Sequence, residues 1–220
     1  MNPLIVIKDS LYFSRRNLGS IVALCLPLVI LEALTKQAVG DAVGTESSTA
    51  VELLIGLLFY PLYTGALILF LDARSRGNDP AKRDLLAMAL RMWPMFALLS
   101  ATSTLLIMFG LSLFILPGLW VMIKLVFAEY LLVLRGLTPL AAMRESFTMT
   151  QGHMLRILAC VVCVYVPLSL LEGISYYVLP EPQSMPVSLA IDSLSSFLQL
   201  FTSVVMFRLF MLINTEPTQA

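Results

Sequence analysis

Six stretches of this chain are apolar over about the length a helix needs to cross a lipid bilayer, and nothing else constrains the fold as tightly. A hydrocarbon core about 30 Å thick takes roughly 20 residues at about 1.5 Å each. Between charged or Pro/Gly-rich breaks, such runs cover about residues 17–34, 51–71, 93–115, 119–134, 154–178 and 187–213. Leu116, Pro117 and Gly118 leave room only for a tight turn between the third and fourth runs. Backbone N–H and C=O groups cannot go unpaired in lipid, so each run is expected as a helix. The shorter alternating segments of a membrane barrel are not seen. The sequence predicts an all-α polytopic membrane protein, with six transmembrane helices in one integral domain over residues 1–220.

Composition narrows the classes further. Hydrophobic residues make up 59% of the chain and charged ones 13%, about half the charged share of a soluble domain. Fourteen Lys and Arg balance fourteen Asp and Glu, so there is no basic field to hold nucleic acid, which is not expected as a partner. Three cysteines give no disulfide scaffold.

Basic residues are retained on the cytoplasmic side during insertion, and here they are lopsided. Twelve of the fourteen fall before the first run, between the second and third, around the loop before the fifth, or near the end of the sixth. Lys36 alone lies opposite, and Lys124 lies inside a run. Both termini are therefore expected in the cytoplasm. Ser14, Arg15 and Arg16 resemble a twin-arginine export signal, but more membrane follows them and no small-residue cleavage site does, so they read as a positive anchor.

The chain contains an internal repeat. Pro3, Leu4, Ile7, Lys8, Asp9 and Ser10 match Pro139, Leu140, Met143, Arg144, Glu145 and Ser146 at an offset of 136, and Pro27, Leu28, Leu31 and Glu32 match Pro167, Leu168, Leu171 and Glu172 at an offset of 140. The second copy thus carries four extra residues, about one helical turn. Asp79, Pro80, Arg83 and Asp84 echo the pattern. Three pseudo-repeats follow, at about 1–72, 79–134 and 138–213. Each would be a short cytoplasmic amphipathic helix followed by a hairpin of spans, and an even number of crossings makes the copies parallel. In the third, Thr138 can cap, Leu140, Met143 and Phe147 share one face, and Gly152 can end the helix. In the second, Leu85, Met88 and Met92 share a side. Such helices either lie flat on the inner leaflet or pack on the bundle; the apolar stripe serves both.

Leu116, Pro117 and Gly118 at a turn, a span ending near Arg135 and Gly136, and then Ala142, Met143, Arg144, Ser146, Thr150 and Arg156 resemble the YciC-like family of bacterial inner-membrane proteins. The tail Phe207, Arg208, Leu209, Phe210, Met211, Leu212 and Ile213 looks like that family's C-terminus, so the resemblance covers nearly the whole chain. These stretches are also similar to the membrane module attached to some glycerophosphodiester phosphodiesterases, whose catalytic barrel this sequence lacks. The resemblance implies a multi-span inner-membrane protein and carries over no functional residue.

Charges inside a bilayer cost several kcal/mol and call for partners. Lys124 and Glu129 are five apart, hence on different helix faces. Lys124 is expected about 9 Å inside the outer turn, at the depth of Asp192, Glu32 and Glu172; Glu129 is expected toward Arg156 and Arg208. The expectation is one paired polar interior, serving either as interhelical glue or as a proton or ion path. Asp192, Ser196, Gln199 and Ser203 share a helical stripe that should face protein or water. Gly19 with Ala23, and Ser100 with Thr104, have the small-residue spacing that lets helices approach. Cys160 and Cys163 lie in a continuous apolar span and read as packing residues, and His153 reads as a polar residue at the membrane surface. No nucleotide, zinc, nucleophile or dinucleotide motif is present, so neither a cofactor nor an enzyme is expected.

The functional expectation is a non-enzymatic membrane module that engages a protein partner, a second copy of itself or inner-leaflet lipid, with Arg83, Arg91, Arg144 and Arg156 offering charge to anionic headgroups. The alternative is a small-solute or ion transporter built on Lys124, Glu129 and the sixth-span stripe.

Overall fold

The computed structural model describes residues 3–43, 49–178 and 185–215, which form eight helices and no strand. They are α1 (Pro3–Val43), α2 (Thr49–Ser75), α3 (Lys82–Leu113), α4 (Ile115–Leu125), α5 (Ala128–Arg135), α6 (Pro139–Met149), α7 (Met154–Val178) and α8 (Met185–Thr215). Five segments are long and apolar enough to cross a membrane: α1, α2, α3, α4 together with α5, and α8. Helices α6 and α7 make a sixth if taken as one span bent by 104°. The fold is all-α and polytopic, as the apolar runs require.

Helix α2 is central and packs on α1, α3, α5 and α8. Its Ala66, Leu67, Ile68 and Leu71 are fully buried, as are Phe127 and Leu131 beside α5. Around this centre, Leu105, Phe109, Phe114, Ile115 and Leu116 face outward, as residues in contact with lipid do. Pro27, Pro61, Pro94 and Pro167 sit inside helices, each removing one backbone hydrogen bond. Near one of them a side chain adds a bond: the Trp93 indole N–H donates at 2.8 Å to the Leu58 carbonyl, one residue beyond the Leu57 carbonyl that Pro61 leaves without its helical donor.

The turn between the third and fourth runs lies earlier than expected. Phe114 alone is extended, at φ −161° and ψ 155°, and α4 has already begun at Ile115. Pro117 falls in its first turn, where a missing N–H costs nothing. Gly118 serves a close approach instead: a Cβ on Gly110 would lie 2.8 Å from the Gly118 Cα, and one on Gly118 would lie 2.5 Å from the Leu111 side chain. The approach expected at Gly19 and Ala23 does not occur. Both are exposed, and nothing lies within 4 Å of where a Gly19 Cβ would be.

Only one of the three expected surface helices is a separate helix. Residues 3–14 continue into α1, and the second segment continues into α3, where Leu85 and Ala89 are buried while Met88 is half exposed. Helix α6 stands apart because the backbone turns at residues 150–153, with Gly152 at φ 79°. Those four residues equal in number the change of offset between the matching stretches, and they form an elbow rather than another helical turn. Helix α6 packs on α3, α4 and α5. Its buried face is Ala142, Met143, Ser146 and Thr150, whereas Leu140 points outward, 76% exposed.

Candidate functional site

The fourth span is broken where the sequence shows no Gly or Pro. Val126 and Phe127 interrupt it between α4 and α5. A helix break strands carbonyls on one side and N–H groups on the other, and Ser146 of α6 serves both. Its hydroxyl donates to the Lys124 carbonyl at 2.6 Å and accepts from the Phe127 N–H at 3.2 Å. Ser146 is completely buried, and Thr150 Oγ1 donates in turn to the Ser146 carbonyl at 3.0 Å.

The same docking accounts for Lys124, which is 7% exposed. Its Nζ donates to the Phe147 carbonyl at 3.4 Å, in the last turn of α6, where the helix dipole is negative. It also lies 5.9 Å from the centre of the Trp120 ring. Lys124 has no ion pair among the described residues. Glu32, one of its expected partners, is taken by Lys36 at 2.7 Å. The side chains of Glu172 and Asp192, the other two, lie outside the described residues. Lys124 is therefore held by a helix end and a ring.

Beyond the break, the first turn of α5 carries Glu129. Its two oxygens each lie 3.0 Å from the Tyr60 hydroxyl of α2, which donates to the carboxylate. The expected arginine partners are engaged elsewhere: Arg208 lies 3.3 Å from Asp9 of α1, and Arg156 is exposed at the start of α7. Arg135 closes α5 by reaching Glu145 at 2.7 Å and Asn214 of α8 at 2.6 Å. Among the described residues, Lys124 and Arg208 thus stand apart from Glu129, while Glu32 and Glu129 line one cavity.

Glu129 and Tyr60 stand between two cavities. One, of about 630 Å³, lies among α1, α2, α3 and α5 and reaches Glu32, Lys36 and Glu52. The other, of about 160 Å³, lies toward α4, α7 and α8 and reaches Tyr165, Thr202 and Ser203. Glu32 is 6% exposed, and its Oε2 has no hydrogen-bond partner; the Thr202 hydroxyl is likewise buried and unpaired. Ser100 and Thr104, expected as small residues between packed helices, line the larger cavity. On α8, Ser203 of the expected stripe reaches the wall of the smaller cavity and Gln199 is exposed. Cys160 is buried and Cys163 exposed.

Tyr60, Ser146 and Thr202 were missed by sequence reasoning. Ser146 had a signal, since it matches Ser10 in the repeat and both are buried. Tyr60 had a weaker one, because a phenol within a span needs a hydrogen-bond partner.

These features define a multi-pass all-α membrane protein with an open, largely apolar cavity that carries acidic residues in its wall. No protein-family model matches the chain, and neither a curated protein nor a solved structure does.

Proposed function

We propose that the chain is a non-enzymatic membrane module of the YciC-like kind, seated in a bacterial inner membrane with both termini in the cytoplasm, and that it engages anionic lipid at the inner leaflet. One observation carries this reading. At the arginine-rich end of the bundle, α1, α2 and α8 enclose an amphiphilic groove of about 420 Å³, with Phe13, Leu71, Phe207 and Met211 in its wall and Asp9 and Arg208 beside them. An acyl chain suits the first set and a phosphate suits Arg208. The Arg208–Asp9 pair is about half exposed on both sides, so it contributes little and opens readily. Arg83, Arg91, Arg144 and Arg156 are exposed and add charge for the same headgroups.

Native mass spectrometry from gentle detergent tests this. The intact chain should retain phosphatidylglycerol, and Arg208→Ala should lose it; equal retention by both defeats the reading. The same spectra report a partner protein or a second copy. The cavity at Glu129 favours a second reading, a small-solute path. That reading predicts flux in proteoliposomes that disappears in Glu129→Gln, whereas a lipid-engaging module predicts none.

A further inference from the structure

We propose that the larger cavity is a binding site for the ammonium group of a small organic cation, with Glu129 and Glu32 as its anionic contacts. The site is independent of the groove at the arginine-rich end, and occupancy does not require passage across the membrane.

Three observations converge. Charge comes first: Glu32, Glu52 and Glu129 line the cavity and Lys36 alone opposes them. A buried carboxylate needs a counter-charge or hydrogen-bond donors. Glu129 has one phenol for its two oxygens, and Glu32 Oε2, with the Tyr63 hydroxyl nearby, lacks a hydrogen bond of ordinary geometry. Chemistry comes second. Glu32 Oε1 already binds one ammonium, that of Lys36 at 2.7 Å, so the carboxylate is placed to take another on its free oxygen. Shape comes third. At about 630 Å³ the cavity falls within the usual range for small ligands, and Leu57 and Ile107 give it an apolar wall against which the body of an amine can lie. Tyr60 and Tyr63, with ring centres 5.7 Å apart, bring aromatic groups to the same space.

A bare metal ion fits less well. Glu32 lies against Gly56, 3.9 Å from where its Cβ would be, whereas Glu129 is held by Tyr60. These two anchor points are one turn apart along α2, about 6 Å. Oxygen ligands that bind a divalent ion must converge on one point at about 2.0–2.6 Å. Among the described residues, no group of three or more His, Cys, Asp or Glu side chains is placed to do so.

The ammonium can come from a dissolved amine or from a lipid headgroup, and one experiment separates the two. The purified full chain in detergent is titrated with n-butylammonium chloride and, as a neutral counterpart, with n-butanol, by isothermal calorimetry and thermal unfolding. Saturable binding of the amine and not of the alcohol is expected. Glu129→Gln should weaken it about tenfold or more, the scale of removing one charged contact. In nanodiscs, phosphatidylethanolamine should compete with butylammonium if the source is a headgroup; if the source is soluble, binding should be the same in phosphatidylethanolamine and phosphatidylglycerol discs. Equal binding of alcohol and amine, no saturable binding of the amine, or unchanged affinity in a folded Glu129→Gln overturns the proposal. Should that variant not fold, the amine-against-alcohol comparison on the unaltered chain decides.

Discussion

Replacing Ser146 with alanine should destabilise the bundle out of proportion to the single oxygen removed. In the native protein that oxygen satisfies the Lys124 carbonyl and the Phe127 N–H, which belong to buried residues at the break between α4 and α5. In a soluble core, each group left unpaired would cost about 1–3 kcal/mol. Within a membrane the denatured reference retains helices that find other partners, and measured interhelical hydrogen bonds average only about 0.6 kcal/mol, with a maximum near 1.7. Two bonds therefore set an expected loss of about 1–3 kcal/mol. The internal control is Ser10, its counterpart in the repeat. The Ser10 hydroxyl donates to the Val6 carbonyl four residues back on its own helix, at 2.7 Å. That carbonyl keeps its helical partner when the hydroxyl is removed, so Ser10→Ala should cost less than about 0.5 kcal/mol. Reversible unfolding of both variants in mixed micelles, followed by circular dichroism, makes the comparison. Equal stability losses for Ser146→Ala and Ser10→Ala would refute the idea that one hydroxyl holds both sides of the break.

Lys124 is held by the end of α6 rather than by an acid, so Lys124→Met should lie within about 1 kcal/mol of wild type, as apolar replacements of buried charges often do. Lys124→Glu, which sets a negative charge against the Phe147 carbonyl, should cost about 2 kcal/mol or more in the same unfolding assay. Gly118→Ala places a Cβ 2.5 Å from the Leu111 side chain and should lose about 1–3 kcal/mol, read as a lower melting temperature. Gly19→Ala meets open space and should be neutral or gain up to about 1 kcal/mol. Glu52, in the first turn of α2, and Arg76, just past its end, are separated by about 36 Å of helix rise. Cysteines at the two positions should react with an impermeant maleimide from opposite faces of sealed vesicles.

The spans were legible because the cost of unpaired backbone in lipid leaves an apolar run of this length one solution. The details that position Glu129 and Lys124 were not. The α4–α5 break has no Gly or Pro to announce it, and the serine that satisfies its backbone groups lies about twenty residues further along the chain. Partners for Lys124 were sought by depth among acids, on the premise of a straight helix and an ionic partner. The actual partner is a backbone carbonyl, which every residue owns and no sequence pattern marks. On α6, Met143 is buried and Phe147 packs on the core as expected, and Leu140 is the one apolar residue of that face that turns outward, for a related reason. In lipid an outward Leu140 carries no penalty, so apolar residues cease to report which side of a helix is buried. The small polar residues Ser146 and Thr150 are the better markers.

The elbow at residues 150–153 sets the segment that begins at Pro139 apart from its counterpart at the N-terminus. Helix α1 is a single rod of 41 residues, whereas the matching segment is divided into α6, of 11, and α7, of 25. An insertion as small as one tetrapeptide thus separates a straight strut from a hinged one, and it frees the shorter arm to swing inward and brace a neighbouring span.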